Sequence, residues 1–261
     1  MTLAFLSDVH ANLPALEAVL ADIYRRGPDV IYCLGDLVGY APWPNEVVSL
    51  VRSGRIPTIA GNYDEGVGLG SDDCGCAYKS DEERARGAES IAFTNRAVSD
   101  ETRNWLRGLP RHMRLTLATP RRADLPSLDV LAVHGSPRRI NEYLFEDRPE
   151  RSFVRLFEDA AADVLLFGHT HRPFHRVFST EVDGRTRYRH AVNIGSVGKP
   201  KDGDPRACYV LLHVSEEPSP IVPDSIRPEF VRVEYDVDRA ARAIEESALP
   251  DAFATALRQA L

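Results

Sequence analysis

The amino-acid sequence predicts an α/β fold, and three observations carry that prediction. In the first half of the 261-residue chain, short apolar runs of strand length alternate with amphipathic helical stretches, the pattern of parallel strands covered by helices. Later apolar runs follow one another with the shorter connections of antiparallel pairs. Run after run also stops at aspartate, asparagine or histidine, residue types that bind metals.

Leu3–Leu6 is a compact apolar run of strand length. A helix follows from about Pro14 to Arg26. Asn12 is its N-cap, Leu16, Val19, Leu20 and Ile23 form one apolar face, and Gly27 stops it. A second strand, Val30–Leu34, ends at Gly35-Asp36. A short helix near Asn45–Val51 precedes a third strand, Pro57–Ala60, which ends at Gly61-Asn62. Between Glu65 and Arg111 the alternation breaks. A Gly- and Asp-rich loop, Gly66–Asp73, leads into helical stretches at Asp81–Val98 and Asp100–Leu106, read as a helical insertion at about 65–111 over or beside the site.

Strands resume at Met113–Leu117, where apolar residues alternate, and at Asp129–Val133, which ends at His134-Gly135. A helix near Glu150–Ala161 precedes strand Val164–Phe167, which ends at Gly168-His169-Thr170-His171. Phe174–Thr180, Tyr188–Asn193, Ala207–Val214 and Phe230–Asp236 are the remaining strands, and helices occupy about 238–261. Pro218–Pro228 reads as a surface loop. With no internal repeat or low-complexity segment to divide it, residues 1–261 read as a single domain.

A chain of this length buries a substantial core without disulfides or a structural metal, so a bound metal would serve chemistry. The net charge of −7 argues against a protein built to coat nucleic acid or an anionic membrane. Arginines cluster locally, at Arg111, Arg114, Arg121 and Arg122 and at Arg185, Arg187 and Arg189; they read as solvated faces with interspersed acids. Of four cysteines, Cys33 and Cys208 lie in apolar runs and read as core. Cys74 and Cys76 lack a second pair to complete a tetrahedral site, which favours a structural or substrate-loop role over zinc or redox chemistry. His112, His175, His190 and His213 read as buried core histidines. The chain has no cleavable leader pattern and no run of about 18 apolar residues, so the expected location is the cytoplasm, off the membrane.

Seven side chains stand at the strand ends: Asp8 and His10, Asp36, Asn62, His134, and His169 with His171. In open α/β sheets the ligand site lies outside the carboxyl ends of the strands, so these residues are expected to converge on one crevice. Within Asp8-x-His10 and His169-x-His171, alternate residues point the same way if the backbone is extended. Oxygen and nitrogen donors without thiolate suit manganese, iron, nickel, cobalt or zinc rather than calcium. Seven ligands exceed the needs of one tetrahedral ion and suit two ions about 3.5–4 Å apart with a shared carboxylate.

The blocks Asp8-Val9-His10, Gly35-Asp36, Gly61-Asn62-Tyr63-Asp64, His134-Gly135 and Gly168-His169-Thr170-His171 resemble, in order, those of the calcineurin-like metallophosphoesterase superfamily. Ser7–Asn12 and Asn193–Gly198 are similar to segments of its small bacterial and archaeal phosphodiesterase-like members, of the YfcE type. The resemblance implies a four-layer αββα sandwich and two divalent metal ions, with manganese favoured. It implies that Asp8, His10 and His171 hold the first ion, that Asn62, His134 and His169 hold the second, and that Asp36 bridges them. A metal-bridging hydroxide is then the nucleophile, with Asp8, Asp36, Asn62 and His134 catalytic through the ions. Asp64 would orient ligands from the adjoining turn.

One position departs from the pattern. Where many relatives carry a histidine that is proposed to protonate the leaving oxygen, this chain has Tyr63, a weak acid at neutral pH. That favours phosphodiester or activated-ester hydrolysis over a phosphomonoesterase such as a protein phosphatase or nucleotidase. Tyr63 either touches substrate or packs against the insertion. Arg138, Lys199 and Arg206 are candidates to hold the phosphate, although Lys199 lies in a Gly-, Pro- and Asp-rich loop that reads as solvated. Gly195-Ser196-Val197-Gly198 could cradle phosphate through backbone N–H groups. Tyr40 and Trp43 read as a local hydrophobic lid or a stacking surface. The expected partner is a small phosphoester or nucleotide, with no extended nucleic-acid surface; an oligomer is compatible with the composition. A non-enzymatic interaction module on the same fold is the remaining alternative, and retention of all seven ligands counts against it.

Overall fold

Period-two alternation along the strands sorts their side chains between two interfaces, and this sets the layers. In the computed structural model, which describes residues 1–78, 80–119, 122, 124–182 and 184–261, β1 (Thr2–Leu6) sends Leu3 and Phe5 to one interface and Ala4 and Leu6 to the other. Arg121 of the first arginine cluster lies outside the described residues.

The first sheet runs β2 (Val30–Cys33), β1, β8 (Ala207–Val214), β9 (Ile226–Val233). The second runs β3 (His112–Leu117), β4 (Leu128–Val133), β5 (Val164–Phe167), β7 (Arg185–Asn193), β6 (Phe174–Val182). β1 is parallel to β2, and β4, β5 and β7 run parallel. The other pairs are antiparallel, including the β6–β7 and β8–β9 pairs.

Leu3, Phe5, Val210 and Leu212 of the first sheet interlock with Val130, Ala132, Val164, Leu166 and Val192 of the second. Ala4, Leu6, Tyr209 and Leu211 face outward, under Leu16, Val19 and Ile23 of α1 (Leu13–Arg26) and Val47, Val48 and Val51 of α2 (Pro44–Ser53). On the far side Leu131, Val133, Leu165 and Phe167 pack against Phe153, Leu156 and Phe157 of α6 (Glu150–Ala160). The result is helix, sheet, sheet, helix. α1 begins where the Asn12 carboxamide accepts from Ala15 N at 3.2 Å and ends at Gly27, whose φ of 62° is left-handed. The C-terminal α7 (Val237–Glu245) and α8 (Asp251–Gln259) cover Ala11, Ala41, Tyr40 and Trp43.

Four expectations are corrected. Pro57–Ala60 makes a single bridge, Thr58 to Cys33, instead of a strand. Pro57 has no N–H to give a ladder, and Ala60 N turns away to Pro110 O at 2.8 Å. The Gly66–Asp73 loop begins inside a helix, α3 (Asn62–Leu69), which the Asp64 carboxylate nucleates by accepting from Gly61 N at 3.0 Å. The helical stretches downstream form α4 (Asp81–Ala97) and α5 (Asp100–Arg107) as expected. The last strand lies four residues earlier than predicted and takes in Pro228, which an edge strand tolerates; Ser219 and Ser225 of the preceding loop are buried, not on the surface. Among the four histidines read as core only His190 is fully buried. His112 is exposed, His175 is half-buried, and His213, also half-buried, pairs with Glu229 at 2.9 Å at the sheet edge. Among the described residues no helix is long and apolar enough to cross a membrane.

Candidate metal centre

All seven side chains predicted at the strand ends meet at one rim. Asp8 and His10 follow β1, Asp36 follows β2, Asn62 opens α3, His134 follows β4, and His169 and His171 follow β5. None is more than 3% exposed. The pairs are aligned by left-handed turns and not by the extended pleat expected of them: φ is 54° at Asp8, 49° at His10, 52° at Asp36, 65° at His169 and 59° at His171. Such backbone costs of order 1–3 kcal/mol per residue and persists where surrounding contacts impose it. Here Asp8 N donates to Gly35 O and His10 N to Asp36 O, both at 2.9 Å, so the two turns brace each other.

The ligand atoms fall into two groups, Asp8 with His10 and His171, and Asp36 with His134 and His169; within each group they lie within 4.8 Å of one another. Asp8 Oδ1 is 3.2 Å from His171 Nε2, and Asp36 Oδ2 is 3.2 Å from His134 Nε2 and 3.6 Å from His10 Nε2, within reach of both groups. Asn62 Oδ1 is 3.1 Å from His134 Nε2.

The imidazoles are oriented for metal. A carbonyl only accepts, so Nδ1 must donate where it meets one: His10 to Val38 O at 3.1 Å, His134 to Leu34 O at 2.9 Å, His171 to Lys199 O at 2.5 Å. In the neutral ring that leaves Nε2 as a lone pair. His10 Nε2 and His171 Nε2 nevertheless face each other at 3.1 Å, and the buried His169 Nε2 has no hydrogen-bond partner. Facing lone pairs repel unless a cation stands with them, so this donor set fits the two divalent ions that the ligand types imply.

The electrostatics agree for three of the four imidazoles. Burial holds His10 down at about 4 and His169 at about 3, and pushes His171 well below the ordinary histidine range, so these three present lone pairs at neutral pH. Burial acts the same way on His134, but the Asp36 carboxylate overrides it and raises that ring to about 10. Asp36 resists its own burial through His134 and lies well below the usual carboxylate range. Asp64 is raised to about 7, by burial first and then by Asp36.

Around the ligands, Asp64 accepts from Gly61 N at 3.0 Å and Leu37 N at 2.9 Å and so ties the two turns that carry Asn62 and Asp36. The Cys74-Gly75-Cys76 segment lies against the site: Asn62 Nδ2 donates to Cys74 O at 2.9 Å and to Cys76 Sγ at 3.3 Å, which turns Oδ1 toward His134. Tyr63 is buried between the rings of Tyr40, at 4.8 Å, and His10, at 5.5 Å, and its hydroxyl lacks a hydrogen-bond partner. Burial, and then Tyr40, push the Tyr63 hydroxyl well above the ordinary tyrosine range. Lys199 is half-buried, its Nζ 4.8 Å over the Tyr40 ring, and burial pushes it well below the ordinary lysine range. Arg138 and Arg206 are exposed, on Glu142 and Asp204 respectively. The Gly195–Gly198 amides do not form a free cradle. Val197 N donates to Ser7 O and Gly198 N to Asp8 O, both at 2.9 Å, and so hold the first ligand turn.

Two residues at the rim escaped sequence reasoning. Lys201 faces Asp8 and Asp36; its signal was the Gly-Lys-Pro-Lys run after Val197. The Tyr143 ring lies 4.1 Å from that of His169 and stacks on Phe145, and no sequence pattern marked it.

A family model described as the calcineurin-like phosphoesterase superfamily domain matches residues 1–217. An uncharacterized protein of Methanocaldococcus jannaschii is 33% identical over 262 residues, which cover 95% of this chain and 94% of that protein. Among solved structures, a metallophosphoesterase from Sphaerobacter thermophilus is 31% identical with a TM-score of 0.72, over 100% of this chain and 99% of the other. A hypothetical protein from Pyrococcus horikoshii has the same fold at 21% identity, with a TM-score of 0.74 over 98% of this chain and 97% of its own.

Proposed function

The chain belongs to the calcineurin-like phosphoesterase superfamily, and from that premise we propose that it hydrolyses small phosphoesters with two divalent metal ions, diesters in preference to monoesters. The observation that carries this reading is the pair of buried ligand groups, Asp8–His10–His171 and Asp36–His134–His169, with Asp36 in reach of both. Divalent ions held there, manganese being favoured by the oxygen and nitrogen donors, supply Lewis acidity and an acidified water.

The chain's own residues supply the rest. Three imidazoles are fixed through Nδ1 with Nε2 inward. Asp64 clamps the turns of Asp36 and Asn62, and Asn62 is held by its amide nitrogen so that its oxygen faces in. Lys199 and Lys201 flank His171 through their backbone groups, Lys199 O accepting from His171 Nδ1 and Lys201 N donating to His171 O, and so lie on the side proposed for the phosphate. The preference for diesters rests on Tyr63. A buried hydroxyl with a raised pKa is a poor proton source, so the leaving group must depart with little help.

The test pairs bis(p-nitrophenyl) phosphate with p-nitrophenyl phosphate on manganese-loaded protein, where the diester should turn over faster. Asp36→Asn and His134→Ala should each abolish hydrolysis and lower metal content by elemental analysis, with circular dichroism unchanged. Wild-type turnover in either variant overturns the reading, and faster monoester hydrolysis overturns the preference.

A further inference from the structure

All seven ligands are 3% exposed or less, which leaves no open face of the centre for a phosphoester. The cover over one side is a short extended strap, Cys74–Tyr78, between α3 and α4. Its side chains alternate as extended backbone requires. Cys74 is buried and Cys76 and Tyr78 are half-buried, while Gly75 and Ala77 are exposed.

The strap crosses the mouth of the Asp36–His134–His169 group. On one bank, at the start of α3, Asn62 Nδ2 donates to Cys74 O at 2.9 Å and to Cys76 Sγ at 3.3 Å. The other bank is the loop after β4. There Asn141 Nδ2 donates to Gly75 O at 2.8 Å, and the Ala77 amide faces the hydroxyl of Tyr143, whose ring lies 4.1 Å from that of His169.

The ends of the strap are seated differently from its middle. A Cβ on Gly66 of α3 would stand 2.7 Å from Cys74 Sγ, and one on Gly87 of α4 would collide with the Tyr78 hydroxyl, so each end fills a notch left by a glycine. Between these anchors Gly75, Cys76 and Ala77 are held across the mouth by hydrogen bonds, chiefly from the amides of Asn62 and Asn141. Such bonds exchange for bonds to water at small net cost, so the middle lifts more easily than the ends. The same bonds position a ligand. With Nδ2 given to the strap, Asn62 turns Oδ1 to within 3.1 Å of His134 Nε2.

Resting on the phosphoesterase reading, we propose that Cys74–Tyr78 is a lid on the metal centre: its middle lifts away from Asn141 to admit substrate, and its return restores Asn62 to the ligand position. Substrate entry and ion retention are therefore opposed. The open lid exposes the Asp36–His134–His169 group and frees the Asn62 amide to turn, and the closed lid does the reverse.

A cross-link between the strap and the far bank tests the lid. A Cβ on Gly75 would stand 4.0 Å from Asn141 Cβ, inside the span of a disulfide, about 3.5–4.5 Å. Gly75→Cys/Asn141→Cys is oxidised, and peptide mass mapping verifies that the link joins positions 75 and 141 and not Cys74 or Cys76. With manganese, the linked form should hydrolyse bis(p-nitrophenyl) phosphate about tenfold or more slower than the same protein after reduction. It should also release manganese to a chelator about tenfold more slowly. Equal turnover in the two forms overturns the lid, and equal release overturns its hold on Asn62.

Gly75 has a φ of 67°, where a cysteine is strained, so a second measurement uses no substitution at that position. Alkylation of Cys76 by iodoacetamide, followed by mass mapping, should be about tenfold faster in Asn141→Ala than in the wild type, while Cys74 stays protected in both. Labelling of Cys76 at the wild-type rate overturns the proposal, and so does equal labelling of both cysteines, which marks general loosening. Absence of hydrolysis by the wild type and the reduced variant alike overturns the phosphoesterase reading instead, and the labelling rates then decide the lid.

Discussion

At the scale of single residues, the centre depends on backbone that most sequences avoid. Five ligands sit at positive φ; the turns of Asp8 and His10 lean on the carbonyls of Gly35 and Asp36, and His169 N donates to the Asp8 carboxylate. Gly168 shows how little room this leaves. A Cβ at that position would stand 2.3 Å from Asp8 Oδ2 and 2.6 Å from Ser7 Oγ, atoms that cannot retreat without moving a ligand. Gly168→Ala should therefore fold but lose the ion held by Asp8, His10 and His171, with activity reduced by about 100-fold. Elemental analysis should then find about one metal per chain against two in the wild type, while two metals in the variant would refute the assignment. The ligand identities themselves were legible in the sequence because side-chain chemistry is local. The left-handed turns were not, since all five residues that adopt them are Asp or His, types that visit that conformation more than most yet are far commoner outside it.

At the scale of elements, the loop after β4 carries Tyr143 to His169 and is tied by one carboxylate. Glu142 accepts from Ser136 Oγ at 2.5 Å and Arg148 at 2.9 Å, and it pairs with Arg138. Burial opposes its ionisation, but the hydrogen bonds from Arg138 and Ser136 win and lower it from 4.5 to about 2. A carboxylate depressed in the folded state contributes stability above its unfolded pKa and loses it as pH falls through the folded value. Glu142→Gln should therefore cost about 1 kcal/mol at pH 7, a modest figure because Arg138 is exposed and screened. The gap to wild type should narrow as pH falls from 4.5 toward about 2. Denaturant melts at pH 7 and pH 3 measure it, and an unchanged gap would rule the account out. Elements with strong periodicity and caps, such as α1 and β5, were read from sequence nearly to the residue. Pro57–Ala60 was misread because a strand needs a partner ladder, which an apolar run alone does not guarantee. α3 was missed because its start depends on Asp64 reaching back to Gly61 and across to Leu37, while its two glycines suggested a loop.

At the scale of the whole molecule, the metal centre crowns a core that does not need it. Phe5, Leu166, Val192 and Leu212 are fully buried between the sheets, and Phe153 and Phe157 are fully buried on the inner face of α6. Chelation should consequently leave secondary structure intact. Added manganese should raise the melting temperature in a concentration-dependent way by binding the folded state alone, about 2.7 kcal/mol at a hundred times the dissociation constant. Unfolding on chelator treatment would show the opposite, a centre that holds the fold together.

The sequence by itself determined which atoms can bind metal, the order in which they arrive along the chain, the family, and most of the helices and strands. All of these are encoded in residue chemistry and short-range periodicity. Only the tertiary structure decided that the Val197 and Gly198 amides hold the Ser7–Asp8 turn and not a phosphate, and that Lys201 and Tyr143 stand at the rim. Those outcomes depend on which distant segments pack together and on turns held by atoms more than a hundred residues away, and no local pattern records either.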